Sequence, residues 1–281
     1  MIKKNIPNFI TCLNLLSGCL AVVAAFHEQI IWSCYLIGLA AVFDFFDGLV
    51  ARLFKAYSPI GKDLDSLADI VSFGVAPGVI LFQMITISFE AYSIPLFERS
   101  LQVLAFASTG FLVTIFGAIR LAKFNIDERQ ATSFLGLPIP AGAIFIASLI
   151  PVLVWEHSLN LYHPPSNETL NQLREHFYFN DFDIASTELL FNPWFYIIVS
   201  IVISLLMISE IPLFAMKFKN IKSKENIIRF LFILLSLWLV YEYRLIGIPF
   251  IVILYVLLSL IDIVIKKILN HFNPPTNEIQ S

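Results

Sequence analysis

The chain has 281 residues, of which 58% are hydrophobic and only 14% charged, and its mean hydropathy is +0.81. Soluble proteins run to roughly 45–50% apolar residues, so an ordinary soluble domain is excluded. A net charge of −3 is small and says nothing about nucleic acid, and no such partner is expected.

A helix crossing a bilayer needs about 20 mainly apolar residues. On that measure eight spans are expected, at 7–26, 31–54, 63–88, 101–124, 138–156, 193–215, 227–243 and 246–265. The predicted architecture is an all-α membrane protein, a polytopic helical bundle of about eight transmembrane helices. An even number puts both termini on one side. With the termini inside, fifteen of the 18 Lys and Arg residues fall on inner segments, leaving Arg99, Arg174 and Arg244 outside. That asymmetry makes both termini cytoplasmic. The expected organisation is a catalytic core over 1–156, an extracytoplasmic loop over 157–192, C-terminal membrane helices over 193–267 and a cytoplasmic tail over 268–281.

Lys3 and Lys4 precede the first apolar stretch in the manner of a signal peptide, but no Ala-x-Ala cleavage spacing follows, so the first helix is read as retained. Cys12, Cys19 and Cys34 sit inside apolar segments and read as small buried hydrophobes rather than a disulfide or zinc framework. Segment 157–190 is read as a solvated loop, with room for a short surface helix. It carries His157, His163, His176 and the sequon Asn167-Glu168-Thr169, none with tight ligand spacing.

The chemistry lies where the second span ends and the third begins. On helices, Asp44, Asp47, Gly48 and Ala51 share one face, as do Gly61, Asp65 and Asp69. Asp47 lies eight residues before Lys55 and Asp69 eight after Gly61. Both pairs are therefore about 12 Å from the connecting turn at 1.5 Å per residue. In antiparallel neighbours the four carboxylates would converge, and their mutual repulsion calls for hard divalent cations such as Mg²⁺ or Mn²⁺, with room for two. Ionisable groups inside spans are costly and mark function. Gly48, Ala51 and Gly61 leave the neighbouring backbone open to a bulky ligand; the competing explanation is close helix packing.

These residues spell D-x2-D-G-x2-A-R-x8-G-x3-D-x3-D from Asp44 through Arg52 to Asp69. The pattern resembles the signature of the CDP-alcohol phosphotransferase family. Further runs, Ile6–Asn14, Asp65–Pro77, Gly117–Asn125 and Gly136–Pro140, resemble the integral-membrane phosphatidylserine synthases within it. The resemblance covers roughly the first 150 residues. It implies that Asp44, Asp47, Asp65 and Asp69 hold the metals, with Asp69 also the general base. It implies that Gly48, Ala51, Arg52 and Gly61 lie along a CDP-linked donor, CDP-diacylglycerol. The implied acceptor is L-serine, the products phosphatidylserine and CMP, and the usual assembly a homodimer. A compact chain without a recognised cleavable targeting signal is expected in a bacterial inner membrane.

Asn8 and Thr11 stand one turn apart and either contact cytidine or start the first helix. Arg120, Lys123 and Ser72 are candidates for the acceptor or its phosphates; for the two cations, inside-positive topology is the competing reason. Other acceptors (glycerol 3-phosphate, inositol phosphate, choline) fit the same chemistry, and a divalent-cation transporter is the alternative outside it. No histidine begins an H-x-K-x4-D motif, which excludes the other synthase chemistry for this lipid.

Overall fold

The computed structural model describes residues 2–56, 59–126, 134–156, 159–162, 165–166, 181–214 and 226–272. The sequon, His157, His163, His176 and the end of the tail lie outside them. The described chain is helical apart from one two-residue strand pair. α1 (Ile2–Phe26), α2 (Ile30–Phe54), α3 (Pro59–Asp69) and α4 (Ala76–Ser88) are followed by α5 (Leu101–Ser108), α6 (Leu112–Ile126) and α7 (Ile139–Pro151). Then come α8 (Asp181–Leu190), α9 (Pro193–Ile208), α10 (Ile227–Tyr243) and α11 (Gly247–Phe272).

Among the described residues five helical runs are long and apolar enough to cross a membrane, or six if the bent pair α8 and α9 is one span, which makes this a multi-pass membrane protein. The run Ile60–Ser88 is 83% buried over its apolar window, against 33% or less for the others. It is the axis of the bundle, and this explains why α4 is apolar on every side. Small residues let its neighbours approach: a Cβ on Gly18 of α1 would stand 2.3 Å from the Ser72 hydroxyl, and one on Gly110 would stand 2.8 Å from the Phe82 nitrogen.

Two boundaries differ from expectation at the N-terminal ends. α1 begins at Ile2 rather than 7, and α3 at Pro59 rather than 63, since proline is pre-organised for the first helical position. Asn8 and Thr11 thus lie well inside α1, and the helix-start reading of them does not hold. The last helix runs on to Phe272, past the expected 265. Cys34 is buried, but Cys12 and Cys19 are exposed. That corrects the reading of all three as buried, because a lipid-facing surface accepts an apolar thiol as readily as a core does.

The run Ile227–Ile265 spans 39 residues, about 58 Å if straight and nearly twice a ~30 Å hydrocarbon core. It is not straight. Arg244 has φ 48°, and the rings of Phe232 and Tyr255 meet at 5.8 Å, so α10 and α11 form an antiparallel hairpin. α8 meets α9 at 73°, which places a short helix within the segment expected to be a solvated loop. Phe134–Leu135 pairs antiparallel with Pro212–Leu213, anchoring the start of α7 to the end of α9. The turn there needs Gly136, whose φ is 72° and whose Cβ would stand 2.5 Å from the Met207 carbonyl.

Candidate metal and nucleotide site

α2 ends at Lys55, which adopts the left-handed conformation (φ 51°) while the Ala56 N–H bonds the Ala51 carbonyl at 2.9 Å. This cap turns the chain back so that α3 returns beside α2. The antiparallel return brings carboxylate oxygens of Asp44, Asp47 and Asp65 within 4.8 Å of one another. Asp69, one turn further along α3, stands near enough to feel the charges of Asp44, Asp65 and Asp47.

α1 supplies the side chains that hold these acids. The Thr11 hydroxyl lies 2.5 Å from Asp47 Oδ2 and 3.1 Å from the Pro7 carbonyl. The Asn14 amide donates to Asp69 Oδ1 at 3.1 Å. Asn14 is itself seated by Ser72, whose hydroxyl donates to the Asn14 carbonyl at 2.9 Å. Ser72 is 0% exposed, so it sets the spacing of two helices and is closed to solvent, unlike the acceptor-facing role expected of it. It belongs to a stretch of π-helix, Ile70–Val75, that begins directly after Asp69. Such widened turns occur at functional sites. Here one re-phases the helix between the acid-bearing face of α3 and the buried α4.

A cavity of about 210 Å³ opens over the acids, lined by Pro7, Asn8, Thr11, Asp47, Gly48, Ala51, Ala56, Gly61, Lys62 and Asp65. No heavy atom lies within 4 Å of where a Gly48 Cβ would stand. The close-packing explanation for that glycine therefore fails, and its bare face looks into the cavity. Gly61, Ala51, Asn8 and Thr11 line the same space, as expected of a ligand site; Arg52 is exposed and does not line it.

The arrangement fits a hard cation. Asp65 Oδ1 is buried with no hydrogen-bond partner, and so, among the described residues, are Asn14 Oδ1 and Arg120 Nε. Buried polar atoms are rarely left unsatisfied, and three around one acid cluster mark a place for a ligand. Arg120 is 7% exposed, with Asp69 and the Tyr255 phenol within electrostatic reach. Lys123, one turn on, is exposed, as topology alone would have it. The Lys62 ammonium donates to the Asn125 carbonyl at 3.0 Å, and the Asn125 amide donates to Ser66 at 2.9 Å, tying α6 to the start of α3 beside the cavity.

Asn14, Lys62 and Tyr255 were not singled out from sequence. For Asn14 a signal existed, since it follows Thr11 at i+3 on the same helix face. Nothing in the sequence pairs Tyr255 with Arg120, because their proximity depends on the path of the last hairpin.

Residues 4–171, more than half of the chain, match the family model described as CDP-alcohol phosphatidyltransferase. The chain is 35% identical over 142 residues to a CDP-diacylglycerol–serine O-phosphatidyltransferase of Helicobacter pylori strain J99, covering 50% of this chain and 54% of the relative. It is 35% identical to the protein of that name from Bacillus subtilis, covering 51% and 74%. It is 34% identical to an archaetidylserine synthase of Methanothermobacter thermautotrophicus, covering 51% and 56%. The chain spans about half the length of the first of these relatives. With the aspartate pattern assembled in space and the family model covering it, the chain belongs to the CDP-alcohol phosphatidyltransferase family.

Proposed function

We propose that this protein transfers the phosphatidyl group of CDP-diacylglycerol to the hydroxyl of L-serine, giving phosphatidylserine and CMP. The observation that carries the reading is the acid cluster beneath a cavity whose wall is the bare backbone at Gly48. Asp44, Asp47 and Asp65, with Asp69, would hold Mg²⁺ or Mn²⁺, two ions in this reading. Bound there, the ions supply neutralisation of charge on the pyrophosphate and on the departing CMP.

The chain's own residues do the rest. Gly48, Ala51 and Gly61 admit the nucleotide, and Thr11 fixes the rotamer of Asp47. Asn14 orients Asp69, which takes the proton of the serine hydroxyl as the new O–P bond forms on the lipid-bearing phosphorus. The bond to the CMP oxygen breaks and CMP leaves with that electron pair. Arg120, a buried cation with an unsatisfied Nε, binds the serine carboxylate or the lipid phosphate. Serine as acceptor rests on the names of the three relatives, each of which contains it. We further propose an eight-span homodimer in a bacterial inner membrane; the Lys and Arg asymmetry supports both termini and the acid cluster lying on the cytoplasmic side.

The test is CMP release by purified protein in micelles with CDP-diacylglycerol, Mn²⁺ and one candidate alcohol at a time. Release dependent on serine supports the reading. Release with glycerol 3-phosphate, inositol phosphate or choline instead reassigns the acceptor. Metal uptake into proteoliposomes without any CMP release would point to transport.

A further inference from the structure

A cavity larger than the one over the aspartates lies elsewhere in the bundle. It measures about 890 Å³ and is lined in part by Glu28, Gln83, Glu90, Tyr92, Arg99 and Tyr162. Glu28 follows the last turn of α1, seventeen residues beyond Thr11, which at 1.5 Å per residue is about 25 Å away. The cavity therefore sits at the opposite end of the bundle from the acid site.

Its acids are costly where they stand. α1 and α4 each finish with a glutamate in the left-handed conformation, Glu28 at φ 58° and Glu90 at φ 55°. Each is followed by a bond back to the last turn, Gln29 N–H to Ala24 and Ala91 N–H to Thr86, both at 3.0 Å. Glycine or asparagine suits that backbone, and the partial negative charge of a helix C-terminus opposes a carboxylate. α2 makes the same turn with Lys55, whose sign suits the dipole. Two disfavoured acids lining one cavity are explained by a cation between them.

The remaining walls complete a zwitterion site. The rings of Tyr92 and Tyr162 meet at 4.8 Å, offering faces to an ammonium. Arg99 is held in place by its own loop, donating to the carbonyls of Ile94 at 2.9 Å and Tyr92 at 3.3 Å, and so presents a fixed cation for an anion. Burial and then the charge of Glu28 push the Tyr92 phenol above its ordinary value, with Arg99 pulling it back. Both charges therefore bear on the same ring. Next in the chain to the lining residues Leu96 and Arg99, Phe97 is 94% exposed and Leu101 83% exposed, a surface suited to the boundary between head groups and acyl chains.

We propose that this cavity binds the head group of a zwitterionic phospholipid, with its ammonium at Glu28, Glu90 and the tyrosine pair and its phosphate at Arg99. The test uses the full chain in lipid-free micelles and dihexanoyl phosphatidylethanolamine as probe, read by native mass spectrometry. The double variant Glu28→Gln/Glu90→Gln, which keeps shape and removes charge, is expected to weaken probe binding at least tenfold. Each single replacement should fall between, CMP release should stay at the unmodified level, and the melting temperature should not fall, since the adverse charge at each helix end is removed. Dihexanoyl phosphatidylglycerol, which lacks the ammonium, should bind more weakly than the probe. Equal probe binding by wild type and double variant overturns the proposal, as does phosphatidylglycerol binding as tightly as phosphatidylethanolamine. Free O-phosphoethanolamine displacing the probe at equal affinity overturns the lipid in favour of a soluble zwitterion.

Discussion

Replacing Gly48 with alanine separates a ligand-facing glycine from a packing one, because the two roles predict opposite signs. Gly48 lies inside α2, where glycine costs about 0.5–1 kcal/mol relative to alanine. The new methyl would meet nothing within 4 Å, so no steric term opposes that gain and Gly48→Ala should melt at a slightly higher temperature. The methyl would enter the 210 Å³ cavity and occupy roughly the room of one water, ~30 Å³, or about a seventh of the space. A nucleotide seated on bare backbone would have to shift by most of a methyl radius. We expect at least a tenfold loss of CMP affinity and of turnover, about 1.4 kcal/mol. Thermal unfolding in micelles and CMP titration on the same preparation provide the comparison. Lower stability together with lost binding would mean that Gly48 packs against something; higher stability with unchanged binding would remove the nucleotide from this face.

Thr11→Val keeps the shape of the side chain and removes the proton that reaches Asp47 at 2.5 Å. A hydrogen bond to a charged group is worth about 1.5–3 kcal/mol, so Mn²⁺ affinity should fall roughly tenfold to a hundredfold, read by activity against metal concentration. Gly136→Ala should destabilise by more than the ~1–2 kcal/mol of a left-handed alanine, because its Cβ would also stand 2.5 Å from the Met207 carbonyl. Chemical denaturation would register the loss, and an unchanged midpoint would contradict the turn geometry.

The acid site was legible because its chemistry is written at helical spacing within one short stretch. Asp44 and Asp47 on one helix, and Asp65 and Asp69 on the next, need only an antiparallel return to meet, and the linker is too short for much else. What the sequence hid lies between helices distant in the chain. Ser72 reads as polar and available, yet contact with Asn14 across the Gly18 approach closes it off. The π-helical stretch after Asp69 has no compositional signal, since isoleucine, valine and phenylalanine serve any helix. The reversal near Arg244 was placed by the expected spans 227–243 and 246–265, but its positive φ at a residue that is not glycine has no motif. The helix ends at Glu28 and Glu90 escaped notice for the same reason, and only their backbone angles show that each acid stands where a glycine or a cation would be cheaper.

In the proposed reaction Asp69 is the group that accepts the serine proton. The decisive measurement is serine-dependent CMP release by Asp69→Asn beside the unmodified protein, with CDP-diacylglycerol binding measured on both. Turnover should be abolished in the variant while donor binding stays measurable, because Asp44, Asp47 and Asp65 remain clustered. Unchanged turnover would refute the role of Asp69.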